Sequence, residues 1–141
     1  MVTSRTEGND MATYDFVVSD VVSAPRAEVY DAWLSSEGHS EMTGGTAVID
    51  AREGGSHSAW NGYITGTTTL LDAPHRVVQS WRSADFSPDD PDSTIDVTFE
   101  EVEEGTRVTI RHSRVPIGQR GYEEGGWATS YFEPMKAFFR A

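Results

Sequence analysis

The sequence predicts an α+β fold. A curved antiparallel sheet of six or seven strands wraps around a long C-terminal helix, with a short helical segment after the first strand. Three observations predict it. Residues 14–22 alternate apolar and polar, residues 46–113 form short strand-like runs separated by turn residues, and the apolar spacing changes to that of a helix from Trp127 onward.

In the first strand Tyr14, Phe16, Val18 and Val22 share one face, and Asp15, Val17, Ser19 and Val21 the other. Ser23-Ala24-Pro25-Arg26-Ala27-Glu28 then reads as a helix start. Ser23 or Ala24 falls near the cap, Pro25 in the first turn where its missing N–H is harmless, and Glu28 near the positive end. Val29, Tyr30, Trp33 and Leu34 make the apolar stripe of that helix. Residues 35–45, with Gly38, Gly44 and Gly45, read as a loop or short helical turn.

The following runs are 46–50, 56–60, 63–71, 76–82, 94–101 and 106–113. Between them lie Glu53-Gly54-Gly55, Asn61-Gly62, Asp72-Ala73-Pro74, the 87–92 loop and Glu103-Glu104-Gly105, which supply turn geometry. Links this short imply an antiparallel meander. Ile95, Val97 and Phe99, then Val108, Ile110 and His112, place one face of the last two strands in the core.

At the end of the chain Trp127, Tyr131, Pro134 and Phe138 form one helical row, and Ala128, Phe132, Met135 and Phe139 its neighbour. Pro134 cannot donate to the Ser130 carbonyl, so a kink is expected near Ser130. Residues 1–12 are polar and aperiodic and read as a flexible arm, leaving 13–141 as one domain.

Composition narrows the function classes. With 23 acidic against 11 basic residues and a net charge of −12, the chain repels a phosphate backbone, and nucleic-acid binding is not expected. Zero cysteines exclude disulfides, Cys-zinc sites and a thiol nucleophile, and fit a reducing, cytoplasmic setting. No apolar run has the ~20 residues of a membrane span. No nucleophile elbow or phosphate loop is present, His39 and His57 lack metal-ligand spacing, and no cofactor or metal is expected.

The chain resembles the START-like (SRPBCC) helix-grip superfamily, in the branch of the activator of Hsp90 ATPase homologue 1-like domain. The resemblance rests on Ser23-Ala24-Pro25-Arg26-Ala27-Glu28-Val29-Tyr30-Asp31-Ala32-Trp33 and Gly54-Gly55-Ser56. It continues through Gly66, Pro74-His75-Arg76-Val77-Val78-Gln79-Ser80-Trp81-Arg82, Thr106-Arg107-Val108-Thr109-Ile110 with His112, and Gly126-Trp127. The resemblance covers roughly residues 14–140. Family members often carry a tryptophan shortly after the first helix, whereas this chain has Glu41-Met42-Thr43-Gly44 there.

The resemblance implies a hydrophobic cavity between sheet and long helix. Trp33, Trp60, Trp81, His112, Trp127, Tyr131, Phe132 and Met135 are the candidates to line it, with core packing as the alternative reading of each. Three functions follow as expectations. The first is a non-enzymatic domain binding a small apolar or aromatic ligand; the second, contact with an Hsp90-type chaperone partner. The third is a cyclase- or dehydratase-like enzyme in which His112 would begin an acid–base pair. Either a monomer or a homodimer fits the exposed aromatic surface.

Overall fold

The computed structural model describes residues 13–139, and the expected arm at residues 1–12 lies outside them. Strand β1 (Thr13–Val22) leads into helices α1 (Arg26–Leu34) and α2 (Ser36–Thr43). Strands β2 (Val48–Ile49), β3 (Ser56–Ala59), β4 (Ile64–Asp72), β5 (Arg76–Ser83), β6 (Ser93–Val102) and β7 (Gly105–Pro116) follow. The chain then passes through 3₁₀ turns (Ile117–Tyr122) into a C-terminal helix over residues 126–138, whose last part is α3 (Glu133–Phe138). The seven strands form one antiparallel sheet in the order β1-β7-β6-β5-β4-β3-β2. The meander therefore runs from β2 to β7, and β1 pairs with β7, setting Phe16 opposite His112. Register shifts at Tyr14/Phe16 and Thr68/Leu70 are bulges of the kind that bend a sheet around its helix. This is the helix-grip arrangement expected above.

Alternation sets the core. Val77, Gln79, Trp81 and Ser83 of β5, Ile95, Val97 and Phe99 of β6, and Val108, Ile110 and His112 of β7 are all buried. Val29, Tyr30, Trp33 and Leu34 cover them from α1, with Tyr30 and Trp33 edge-on to Phe99 at 5.4 and 6.4 Å. One inward position on β1 is charged. Asp20 meets the chain's single lysine, Lys136 on α3, at 3.0 Å, tying the C-terminal helix to the first strand.

Three sequence expectations change. The cap of α1 is Pro25, not Ser23 or Ala24, because β7 claims Ala24: its carbonyl accepts from Thr106 Oγ1 at 2.7 Å. Pro25 sits in extended backbone, and its own carbonyl accepts from the Glu28 and Val29 N–H groups. Residues 36–43 form a defined helix, where the sequence left loop or turn. Ser35 caps it by accepting from Gly38 N at 3.0 Å, and left-handed Gly44 (φ 85°) ends it. The C-terminal helix relieves its missing proline donor with a π turn over Ala128–Phe132, in which Glu133 N–H reaches back to the Ala128 carbonyl. Trp127, Tyr131, Phe132 and Met135 are buried as that helix's inner rows, while Phe138 is exposed.

Candidate functional site

The site is built where three irregular segments meet the end of the sheet. The β3–β4 turn runs through Trp60, Asn61 and Gly62 with φ of 54°, 57° and 89°. Glycine adopts that backbone freely, but a tryptophan is held there at a cost of about 1–2 kcal/mol. The restraint is visible. Asn61 N–H donates to the Thr46 carbonyl at 2.9 Å, and Gly45 lies so close beneath the Trp60 indole that a β-carbon there would approach the ring to 2.1 Å.

Beyond β5, Asp85 is pinned by its own N–H on Ser83 Oγ (3.0 Å) and by its carbonyl, which accepts from Gln119 Nε2 (3.3 Å). Its carboxylate accepts from the Tyr63 hydroxyl. That bond raises the Tyr63 pKa and keeps the phenol protonated. The third wall is the 117–122 turn with the start of the C-terminal helix, which bring Tyr122, Trp127, Ser130 and Tyr131 inward.

Together these segments enclose an open cleft of about 510 Å³. It is lined by Trp60, Tyr63, Ile64, Trp81, Asp85, Gln119, Gly121, Tyr122, Gly126, Trp127, Ser130 and Tyr131. Its aromatic walls are packed on one another, with Trp81 and Trp127 at 4.9 Å and Trp127 and Tyr131 at 5.0 Å. A volume within the ~300–1,000 Å³ typical of small-molecule sites, mostly apolar with a few polar groups, is physically suited to a flat organic ligand.

Behind the cleft the polar atoms are paired with one another. The Trp127 indole can only donate, so its 3.1 Å contact makes His112 Nδ1 the acceptor and puts the imidazole proton on Nε2. Nε2–H then donates to Ser93 Oγ (2.8 Å), and Ser93 donates to the Trp81 carbonyl (2.7 Å). Every role in that chain is determined by its first donor. Burial holds the His112 pKa down to about 3, leaving the ring neutral.

His39 is arranged the other way. Its Nδ1–H donates to the Trp33 carbonyl (2.8 Å), so Nε2 accepts from the Tyr131 hydroxyl (2.9 Å). Burial lowers its pKa to about 4, the carbonyl bond opposing the shift, and burial raises that of Tyr131. Trp33 Nε1–H donates to Gln79 Oε1 (3.0 Å), whose amide donates in turn to Thr68 Oγ1 (3.1 Å).

Of the residues singled out in the sequence, Trp60, Trp81, Trp127 and Tyr131 line the cleft. Trp33, His112 and Met135 pack in the core, and Phe132 faces a second depression beside β1. His112 has both ring nitrogens bonded and does not line the cleft, so the acid–base pair imagined around it does not form at this site. Tyr63, Asp85, Gln119 and Tyr122 escaped the sequence reading, since they sit in or beside connections with no periodic pattern. Among the described residues no group of three or more His, Cys, Asp or Glu side chains converges as a metal site.

A helix-grip fold with an aromatic cleft beside its C-terminal helix defines a START-like protein. A family model described as Activator of Hsp90 ATPase homolog 1-like protein matches residues 23–140, and the chain belongs to that family. It is 25% identical over 127 residues to an uncharacterised Schizosaccharomyces pombe protein, covering 90% of this chain and 38% of that one. It is 26% identical over 113 residues to an activator of 90 kDa heat shock protein ATPase homolog from Dictyostelium discoideum, covering 79% and 29%. The chain thus spans little more than a third of the first curated relative and less of the second.

Among solved structures, an HSP90 activator from Plasmodium falciparum superposes with a TM-score of 0.79 at 23% identity, over 88% of this chain and 94% of that one. CalU16 from Micromonospora echinospora superposes with a TM-score of 0.74 at 21% identity, over 89% and 75%. These likenesses carry the fold. Among the described residues no helix is long and apolar enough to cross a membrane.

Proposed function

We propose that the protein is a non-enzymatic binding domain that takes a small, flat, largely apolar ligand in the cleft between the β3–β4 turn and the start of the C-terminal helix. The observation that carries this reading is the 510 Å³ opening walled by Trp60, Trp81, Trp127 and Tyr131. Strained backbone at Trp60 supports it, since strain of this kind collects at ligand clamps. A thermal-shift series with naphthalene-based probes, read beside tryptophan fluorescence, tests the proposal. A saturable rise in midpoint with a fluorescence change, both lost in Trp60→Ala, is expected; a flat response up to millimolar probe overturns it.

A second reading, contact with an Hsp90-type chaperone, is favoured by the family match and by the names of the Dictyostelium and Plasmodium relatives. Its test is the ATPase rate of the source organism's own Hsp90-type chaperone with and without this chain. An unchanged rate and no measurable association remove it.

A further inference from the structure

The twelve residues that line the cleft include one charged side chain, Asp85, and no Lys, Arg or His. The basic residues nearest in sequence turn elsewhere. Arg82 is bound to the Ser87 and Asp90 carbonyls and to Asp92, while Arg120 lies over the Tyr14 ring at 4.2 Å and beside Glu123 at 3.4 Å. Asp85 itself is exposed at the mouth, with its backbone fixed at both ends. The Tyr63 hydroxyl occupies Oδ2, and among the described residues Oδ1 takes no partner.

We infer that the cleft is selective for organic cations: an alkylated ammonium placed beside Asp85, with its apolar body against Trp60, Trp81 and Trp127. This rests on the cleft being a ligand site, as proposed above, and names the chemical class it takes. Indole and phenol rings present negative faces to a cation, and several of them lining the same cleft as one carboxylate favour a weakly hydrated alkylammonium. An anion would instead bring its charge against Asp85 with no basic group in the lining to offset it. The net charge of −12 acts in the same direction, raising the local concentration of cations around the molecule.

The test is calorimetric titration of the full chain with three probes sharing one ring system: (2-naphthylmethyl)trimethylammonium, 2-naphthylmethanol and 2-naphthylacetate. The cation should bind about tenfold more tightly than the alcohol, and the acetate most weakly. Added salt should weaken the cation alone. Asp85→Asn, which keeps an acceptor for Tyr63, should bring the cation's affinity down to that of the alcohol measured on the same variant. Equal affinities for cation and alcohol, or preference for the anion, overturn the selectivity; the cleft reading then survives, provided Trp60→Ala abolishes binding of the alcohol. Silence from all three probes overturns both. Should Asp85→Asn fail to fold, the three-probe comparison and its salt dependence on the unaltered chain decide.

Discussion

The interior and the cleft are made of the same side chains and behave differently. Inside, Trp127, His112 and Ser93 hand a hydrogen bond from donor to acceptor until it ends on a backbone carbonyl, and Tyr131 with His39 does the same. At the cleft, Trp60 holds left-handed backbone, Tyr63 is 43% exposed, and Asp85 faces water. Aromatic content alone therefore does not separate the cleft from the core. Matched polar atoms tie Trp127 and Tyr131 to the core although both also line the cleft, whereas strain at Trp60 and exposure at Tyr63 and Asp85 set the rim of the cleft apart.

The largest expected effect comes from acid. His112 and His39 stay neutral in the fold down to about 3 and about 4, whereas an unfolded imidazole takes a proton below about 6.5. Above that pH neither state is protonated and the two histidines are neutral to stability. As pH falls the unfolded chain binds protons that the fold refuses, so stability drops. Between pH 7 and 5 each histidine should remove about 2 kcal/mol, about 4 kcal/mol together. Urea unfolding at the two pH values measures the loss, and imidazole NMR assigns it. A folded His112 titrating near its ordinary value would show that the interior is wetter than its geometry implies.

Next in size is His112→Ala. It leaves the Trp127 indole N–H without an acceptor and opens a void among Phe16, Tyr122 and Trp127, and should cost about 3 kcal/mol in urea unfolding. A cost under about 0.5 kcal/mol, the range of surface changes, would mean the network is ornamental.

The difference between the two regions also explains what could be read from the chain. Strands β4 to β7 were legible because they are bounded by Gly, Pro, Asn or Asp and because β6 and β7 alternate, which are local properties. So were the buried rows of the C-terminal helix, and the disturbance at Ser130, which takes the form of a π turn because Pro134 withholds one donor. Helix α2 was half legible: Ser35 and Gly44 are its caps, but Gly38 and a polar sequence hid the helix between them. The cleft was legible in part, through Trp60, Trp81, Trp127 and Tyr131. Asp85 and Gln119 meet across 34 positions and His39 and Tyr131 across 92, distances over which spacing carries no information. His39, weighed in the sequence only as a metal ligand, is a hydrogen-bond acceptor whose partner the fold alone supplies.

Gly45→Ala moves the argument to the cleft wall. A β-carbon 2.1 Å from the Trp60 ring cannot be accommodated unless the indole swings away, so we expect a stability loss of about 2 kcal/mol together with weakened probe binding. Unchanged fluorescence from Trp60 and unchanged probe affinity would mean the ring is not positioned by this contact.

The smallest effect on stability is expected from what looks the most drastic substitution, Trp60→Gly. Removing a buried tryptophan from a core costs about 3–5 kcal/mol. Trp60, however, is half-buried, and its φ of 54° is one that glycine adopts without strain. The relief of about 1–2 kcal/mol in backbone strain should offset most of the lost ring contact, leaving the unfolding free energy within about 1 kcal/mol of that of the parent chain. Probe binding should fall by about tenfold or more, because the ring closes one wall of the cleft. A variant as unstable as a core deletion would place Trp60 with His112 and Trp127 among the rings that hold the fold. A stable variant that no longer binds would show that this turn keeps its strained tryptophan for the ligand.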